Sequence, residues 1–237
     1  MCGIAGFVGQ GNHEDLNSMS EAIAYRGPDN RGEYRDKQSG LFFAHRRLSI
    51  VDKDNGAQPM QDSTANLVIV FNGEIYNCFD LRKQLIQDGY VFRSSHSDTE
   101  VLLDGYRKWG NELPNHLNGM FAFAIYDNLE NKIFLARDRF GEKPLYYFSD
   151  NKNFIFSSEL KSLTQHSVVK EEIDNISLQK YFAYGYLPGS LTIYKKCFKL
   201  KPAHYAIFNL SSKEVNTRPY WSFKLTPDYS ITNEDLV

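Results

Sequence analysis

Cysteine is scarce in this 237-residue chain: three residues in all, Cys2, Cys78 and Cys197. An odd, widely spaced set argues against a disulfide framework and for a reducing compartment, with the cytoplasm as the default expectation. No apolar run approaches the roughly 20 residues that span a bilayer. The N-terminus lacks a basic segment leading into a long apolar stretch, so it does not read as a signal peptide, and no membrane partner is expected. Neither sign of charge dominates, with 27 Lys and Arg against 29 Asp and Glu. The basic residues are scattered, so no nucleic-acid footprint is visible. The histidines show no metal-ligand spacing, and Cys78 and Cys197 have no paired ligands nearby, so no metal is expected. There is no internal repeat, no low-complexity segment and no Walker loop.

Aromatic residues, by contrast, are plentiful, with 17 Phe and 15 Tyr. That supplies a sizeable core, and the length allows one large domain or two small ones. Apolar runs and alternation predict strands over residues 3–9, 32–34, 40–46 and 66–72, and then 120–126, 133–137, 145–148, 154–157, 203–209 and 220–224. Helical periodicity predicts helices over 16–24, 79–89 and 97–108, with short ones over 159–163 and 178–184. Ser97-x-x-Glu100 fits a capping box at the start of the 97–108 helix. Strands in consecutive pairs, with two substantial helices between them, favour an α+β fold of antiparallel sheets. A polar segment from residue 227 opens a helix start near 232–235, as expected of a piece of a longer protein.

Cys2 directly after Met1 is the first chemical signal. Removal of Met1 would place a thiol and a free α-amine on one residue. An α-amine has a reference pKa of about 7.7–8.0, so a fraction is neutral at cytoplasmic pH and can take the thiol proton. Alone, a small residue at position 2 carries no such meaning. The motifs that follow change this. In order they are Met1-Cys2-Gly3-Ile4-Ala5-Gly6-Phe7-Val8-Gly9, Tyr25-Arg26-Gly27-Pro28-Asp29, His45-Arg46-Arg47-Leu48-Ser49-Ile50-Val51-Asp52, Phe71-Asn72-Gly73-Glu74-Ile75-Tyr76-Asn77, Ser97-Asp98-Thr99-Glu100, the run from Asn118 to Asp127, and the run from Ala136 to Tyr147. Together they resemble the N-terminal glutaminase domain of glutamine-dependent asparagine synthetases, which are class II glutamine amidotransferases of the N-terminal nucleophile hydrolase type. The resemblance is specific over residues 1–163 and looser to residue 221.

The resemblance implies a four-layer α/β/β/α sandwich of two antiparallel sheets, with residues 2–222 as the glutaminase domain and 223–237 as a linker toward a C-terminal ATP-dependent synthetase domain. It makes Cys2 the nucleophile and the Asn72 side chain and Gly73 N–H the oxyanion donors. Read from the sequence alone, Asn72-Gly73 is also a strong turn dipeptide after a buried strand. Arg47 is implied as the partner of the glutamine α-carboxylate, for which a guanidinium fork is suited. Arg46 beside it would face the other way along a strand. Leu48, Ser49, Ile50 and Val51 are implied as further glutamine contacts, the last two through the main chain. Asp98 is implied to accept the α-ammonium group, with Glu74 a weaker candidate. His45 is read as a packing or hydrogen-bonding residue, since the amine makes a histidine base unnecessary. Arg137-Asp138-Arg139 is read as structural ion pairs and an interface with a second domain.

The Ser-Gly-Gly-x-Asp-Ser loop by which such synthetases grip ATP pyrophosphate does not occur here. No cofactor is therefore expected in this chain, and ATP and Mg belong to the synthetase domain. Aspartate is the expected ammonia acceptor, and the oligomeric state is open, with a homodimer among the options. Three other readings stand beside this one. One is another class II amidotransferase such as glucosamine-6-phosphate synthase, which typically has His-Thr-Arg-Trp where this chain has His-Arg-Arg-Leu. A second is the same architecture aminating a different acceptor, such as a sugar acid. The third is a non-enzymatic glutamine-sensing module.

Overall fold

The computed structural model describes residues 1–49 and 56–227. Ile50 and Val51 therefore lie outside the described residues, as does the helix start near 232–235. The strands are β1 (Gly3–Val8), β2 (Asn30–Asp36), β3 (Leu41–Arg47), β4 (Met60–Gln61), β5 (Leu67–Ile75), β6 (Gly119–Asp127), β7 (Lys132–Arg137), β8 (Tyr146–Ser149), β9 (Phe154–Ser157), β10 (Cys197–Lys199), β11 (His204–Asn209) and β12 (Val215–Pro219). The helices are α1 (His13–Ala22), α2 (Cys78–Gln87), α3 (Asp98–Trp109), α4 (Leu113–His116), α5 (Leu160–Leu163) and α6 (Asn175–Tyr184).

Period-two alternation sends each central strand's residues to two different layers. In β5, Leu67, Ile69 and Phe71 pack against α2 and α3, while Val68 and Val70 face the other sheet. In β1, Ile4 and Val8 face that same inter-sheet core, while Ala5 and Phe7 pack toward α1 and α5. One sheet has the strand order β10-β8-β9-β1-β3-β2 and the other β12-β11-β7-β6-β5-β4, and every pairing within them is antiparallel. Three apolar cores thus separate four layers, the α/β/β/α sandwich anticipated from the motifs. The middle core is aromatic, with Phe43 and Phe156 edge to face at 5.2 Å and Phe154 stacked on Phe208 at 4.7 Å. Burying one such ring contributes about 1.5–3 kcal/mol.

Three strands escaped the sequence reading. β4 and β10 are short, and β12 is a polar edge strand, Val-Asn-Thr-Arg-Pro, with little buried surface to impose alternation. The strand expected over 220–224 does not form. Tyr220 instead ends the ladder, donating its amide to Ala203 O at 2.9 Å and its hydroxyl to Arg137 O at 2.8 Å. Ser97 does cap α3, its Oγ accepting from Glu100 N at 3.4 Å. Glu100 does not complete a capping box: its carboxylate takes the amides of Arg93 and Ser94, and Ser97 N donates to Ser94 Oγ. α1 carries the full box instead, between Asn12 and Asp15.

Candidate active site

The N-terminal end of β1, the C-terminal ends of β3 and β5, and the start of α3 converge on one cavity of about 120 Å³. That is well below the roughly 300–1,000 Å³ of drug-sized sites, and suits a small ligand. Its walls include Cys2, His45, Arg47, Leu48, Asn72, Gly73, Glu74 and Asp98.

Cys2 precedes β1 and continues the inner-face parity of Ile4. Arg26, in a single 3-10 turn (Ala24–Arg26), donates from Nε to Cys2 O at 3.0 Å and from Nη1 to Glu159 Oε1 at 2.5 Å. The Cys2 main chain is thereby tied to a buried guanidinium. The Leu48 amide donates to Cys2 Sγ at 3.4 Å, and the thiol can donate to Leu48 O at 3.7 Å. Cys78 and Cys197 are of a different kind: burial pushes their thiols up to about 11 and about 12.

Asn72 and Gly73 do not form the expected turn. β5 runs on to Ile75, with Asn72 opposite Ala122 and Gly73 opposite Phe121. Glycine is required by close approach: a Cβ on Gly73 would lie 2.2 Å from Met120 O. The free edge of β5 is what opens this pair to the cavity. β4 pairs only with Val68 and Ile69, and Pro59 just before it has no N–H to extend the ladder. Gln58 Oε1 then accepts the Phe71 amide at 2.6 Å, and the Asp98 carboxylate accepts the Ile75 amide. Alternation puts the Gly73 amide on the same edge, between those two. The Asn72 side chain is on the inner face, 1% exposed, and its Nδ2 is a buried donor without a hydrogen-bond partner. Such orphans are rare in folded proteins, and this one lies in the wall of the cavity that holds Cys2.

Arg46 and Arg47 divide as alternation requires. Arg47 is 7% exposed and lines the cavity. Arg46 points to the other face, where Nε bonds Ser20 Oγ at 2.9 Å and the guanidinium pairs with Glu21. Asp98 opens α3, and its carboxyl is raised to about 6, chiefly by burial and further by Glu74, against the hydrogen bonds it accepts. His45 Nε2 lies 3.1 Å from Phe71 O, so that nitrogen bears the proton of the neutral ring. Burial holds His45 down at about 4, with Arg47 opposing its charge as well. It is a satisfied core histidine.

A family model for the glutamine amidotransferase domain matches residues 1–221. The chain belongs to this family. It is 38% identical over 97% of its length to a putative glutamine-hydrolysing asparagine synthetase 2 from Methanocaldococcus jannaschii, and 37% identical over 94% to asparagine synthetase 3 of Bacillus subtilis. The chain spans 47% and 37% of the length of those two relatives. The amidotransferase fold is shared with glutamine phosphoribosylpyrophosphate amidotransferase from B. subtilis, at a TM-score of 0.66 and 17% identity, covering 93% of this chain and 49% of that one.

Of the residues singled out in this amidotransferase domain, Cys2, Arg47, Leu48, Asn72, Gly73, Glu74 and Asp98 come together in the cavity. Ser49 does not line it; its amide donates to Asp29 Oδ2 at 2.7 Å, which gives the Arg-Gly-Pro-Asp motif a role in holding the chain after Arg47. The Arg137-Asp138-Arg139 run does not form ion pairs among the described residues. Arg137 donates to the carbonyls of Lys143, Leu200 and Gly141, and Asp138 accepts the amides of Phe121, Phe140, Glu142 and Lys143. A bend of main chain needed satisfying, and these side chains satisfy it. Sequence reasoning missed Arg26, Gln58 and Lys143. Arg26 and Lys143 were visible in their motifs; Gln58 carries no local signal. Among the described residues, no cluster of three or more His, Cys, Asp or Glu could hold a metal ion, and no helix is long and apolar enough to cross a membrane.

Proposed function

We propose that this domain hydrolyses the side-chain amide of glutamine, with Cys2 as the N-terminal nucleophile. The observation that carries the reading is the unpartnered Asn72 Nδ2 buried in the cavity of Cys2. A donor left unsatisfied in the free protein is available to an oxygen that becomes charged during reaction. The sulfur attacks the amide carbon as the Cys2 α-amine takes the thiol proton, and the carbonyl electrons move onto oxygen, which Asn72 and Gly73 N–H receive. Collapse breaks the C–N bond, and the ammonium proton leaves with ammonia. Water then adds to the γ-glutamyl thioester, its proton passes to the amine, and glutamate departs as the C–S bond breaks. Arg47 holds the substrate α-carboxylate, and Asp98, with Glu74 beside it, holds the α-ammonium; Leu48 borders the substrate.

On this reading residues 2–222 are the glutaminase unit and 223–237 lead toward an ATP- and Mg-dependent synthetase domain, which uses the ammonia to convert aspartate to asparagine. The names and greater length of the curated relatives support it. The test is ammonia release from glutamine, combined with labelling by a glutamine-analogue diazoketone and mass spectrometry. Cys2→Ala should be inactive and folded, and the label should sit on Cys2 of protein that has lost Met1. A label on Cys78 or Cys197, or an active form that retains Met1, overturns the assignment.

A further inference from the structure

Lys143 has no part in the mechanism above, yet its ammonium lies in the same cavity. The residue is 5% exposed and lines the site, with Nζ 3.2 Å from Met1 Sδ. Its main chain is held from both sides: its amide donates to Asp138 Oδ2 at 2.9 Å, and its carbonyl accepts from Arg137 Nε at 2.7 Å. The Asp138 and Arg137 side chains thus fix where this lysine enters the cavity. Among the described residues it forms no ion pair, and its one polar side-chain contact is a thioether, a weak acceptor. That contact is to the residue whose removal would free the Cys2 α-amine.

A buried cation in the cavity that holds Cys2 has an electrostatic consequence. At its reference pKa of about 7.7–8.0, an α-amine is roughly 80–90% protonated at neutral pH and so unable to accept the thiol proton. A neighbouring positive charge disfavours the protonated amine and favours the thiolate. The other ionisable groups around the cavity do not duplicate this. His45 on β3 is neutral above about pH 4. Arg26 is paired with Glu159. Asp98 on α3 and Glu74 on β5 carry the opposite sign, and Arg47 on β3 is assigned to the substrate carboxylate.

We infer that the Lys143 ammonium is an electrostatic positioning group for the nucleophile, holding the Cys2 α-amine in its neutral form, ready to accept the thiol proton. The inference rests on the glutaminase reading. It is tested with Lys143→Met, Lys143→Gln and Lys143→Arg in protein that begins at Cys2, with circular dichroism to establish folding. Two profiles are recorded between about pH 5 and 9: kcat at saturating glutamine, where Asp98 is already bound, and the rate at which iodoacetamide alkylates Cys2. In the neutral variants the acid limb of both should move up by about 1 pH unit, a roughly tenfold loss of rate on that limb that is recovered at high pH. Lys143→Arg should keep the native profile. Folded neutral variants whose limbs stay in place, or whose rates fall equally at every pH, overturn the inference. If the native protein releases no ammonia from glutamine, the glutaminase reading fails, and the alkylation profile still decides the Lys143 question.

Discussion

Arg46 and Arg47 are neighbours in β3 with opposite destinations: Arg46 reaches Ser20 and Glu21 of α1, while Arg47 enters the cavity lined by Cys2 and Asn72. The pleat alone separates them. Arg47→Ala should raise KM for glutamine with a smaller effect on kcat, because the α-carboxylate is held equally in ground and transition states. Arg46→Ala should leave KM unchanged and lower stability by about 0.5–1.5 kcal/mol through the lost α1 contacts. Steady-state kinetics with urea unfolding of both variants checks this; a larger KM effect at Arg46 reverses the assignment.

Asn72 offers a test in which activity and stability part company. Asn72→Ala should lower kcat by about 10²–10³, the usual loss for one oxyanion donor. It should not destabilise the free protein, and a gain of up to about 1 kcal/mol is expected, since the Nδ2 donor it removes is buried and unpaired. A variant that loses stability while keeping kcat would mean that Asn72 is a structural residue.

The carboxyl of Asp98 is raised from 3.8 to about 6. Protonation removes its attraction for an ammonium group, so KM for glutamine should climb as pH falls through about 6. The stability sign follows from the same shift. A carboxyl that is a weaker acid folded than unfolded costs stability above about pH 6, and the cost vanishes below 3.8. Asp98→Asn should therefore gain about 1–3 kcal/mol at neutral pH while losing its grip on glutamine. Thermal melts at neutral pH beside KM measurements check both halves; a variant destabilised at neutral pH contradicts the shift.

His45 predicts a pH dependence in the other direction. Its ring is held at about 4 in the folded chain against 6.5 for an ordinary histidine. Between those values the unfolded chain gains a proton that the folded one refuses, so this ring's contribution to stability should fall by up to about 3 kcal/mol as pH drops from 6.5 to 4, against the opposite change from Asp98. His45→Gln can still donate to Phe71 O and should remove that contribution, so its stability relative to the native protein should rise as pH falls through this window, and it should still hydrolyse glutamine. Loss of hydrolysis on the scale of Cys2→Ala would make His45 the base after all.

Much of this protein is written locally. Period-two runs announce the central strands and their two faces, including the opposite destinations of Arg46 and Arg47, because alternation is a property of a single strand. The ordered motifs name Cys2, Asn72, Gly73 and Asp98 through resemblance. What alternation cannot convey is which strand ends meet. Cys2 and Leu48 are 46 residues apart, and a 3.4 Å contact between them exists only because β1 and β3 pair in one register. The opening at Gly73 is likewise tertiary. It needs β4 to end early, Gln58 to take the place of a strand, and β6 to lie too close for any side chain but glycine's hydrogen. Lys143 stands in the run from Ala136 to Tyr147, but the sequence does not say where its charge goes. Only the bend held by Asp138 and Arg137 brings its charge to the N-terminus, because electrostatic environment depends on distance through space and not along the chain.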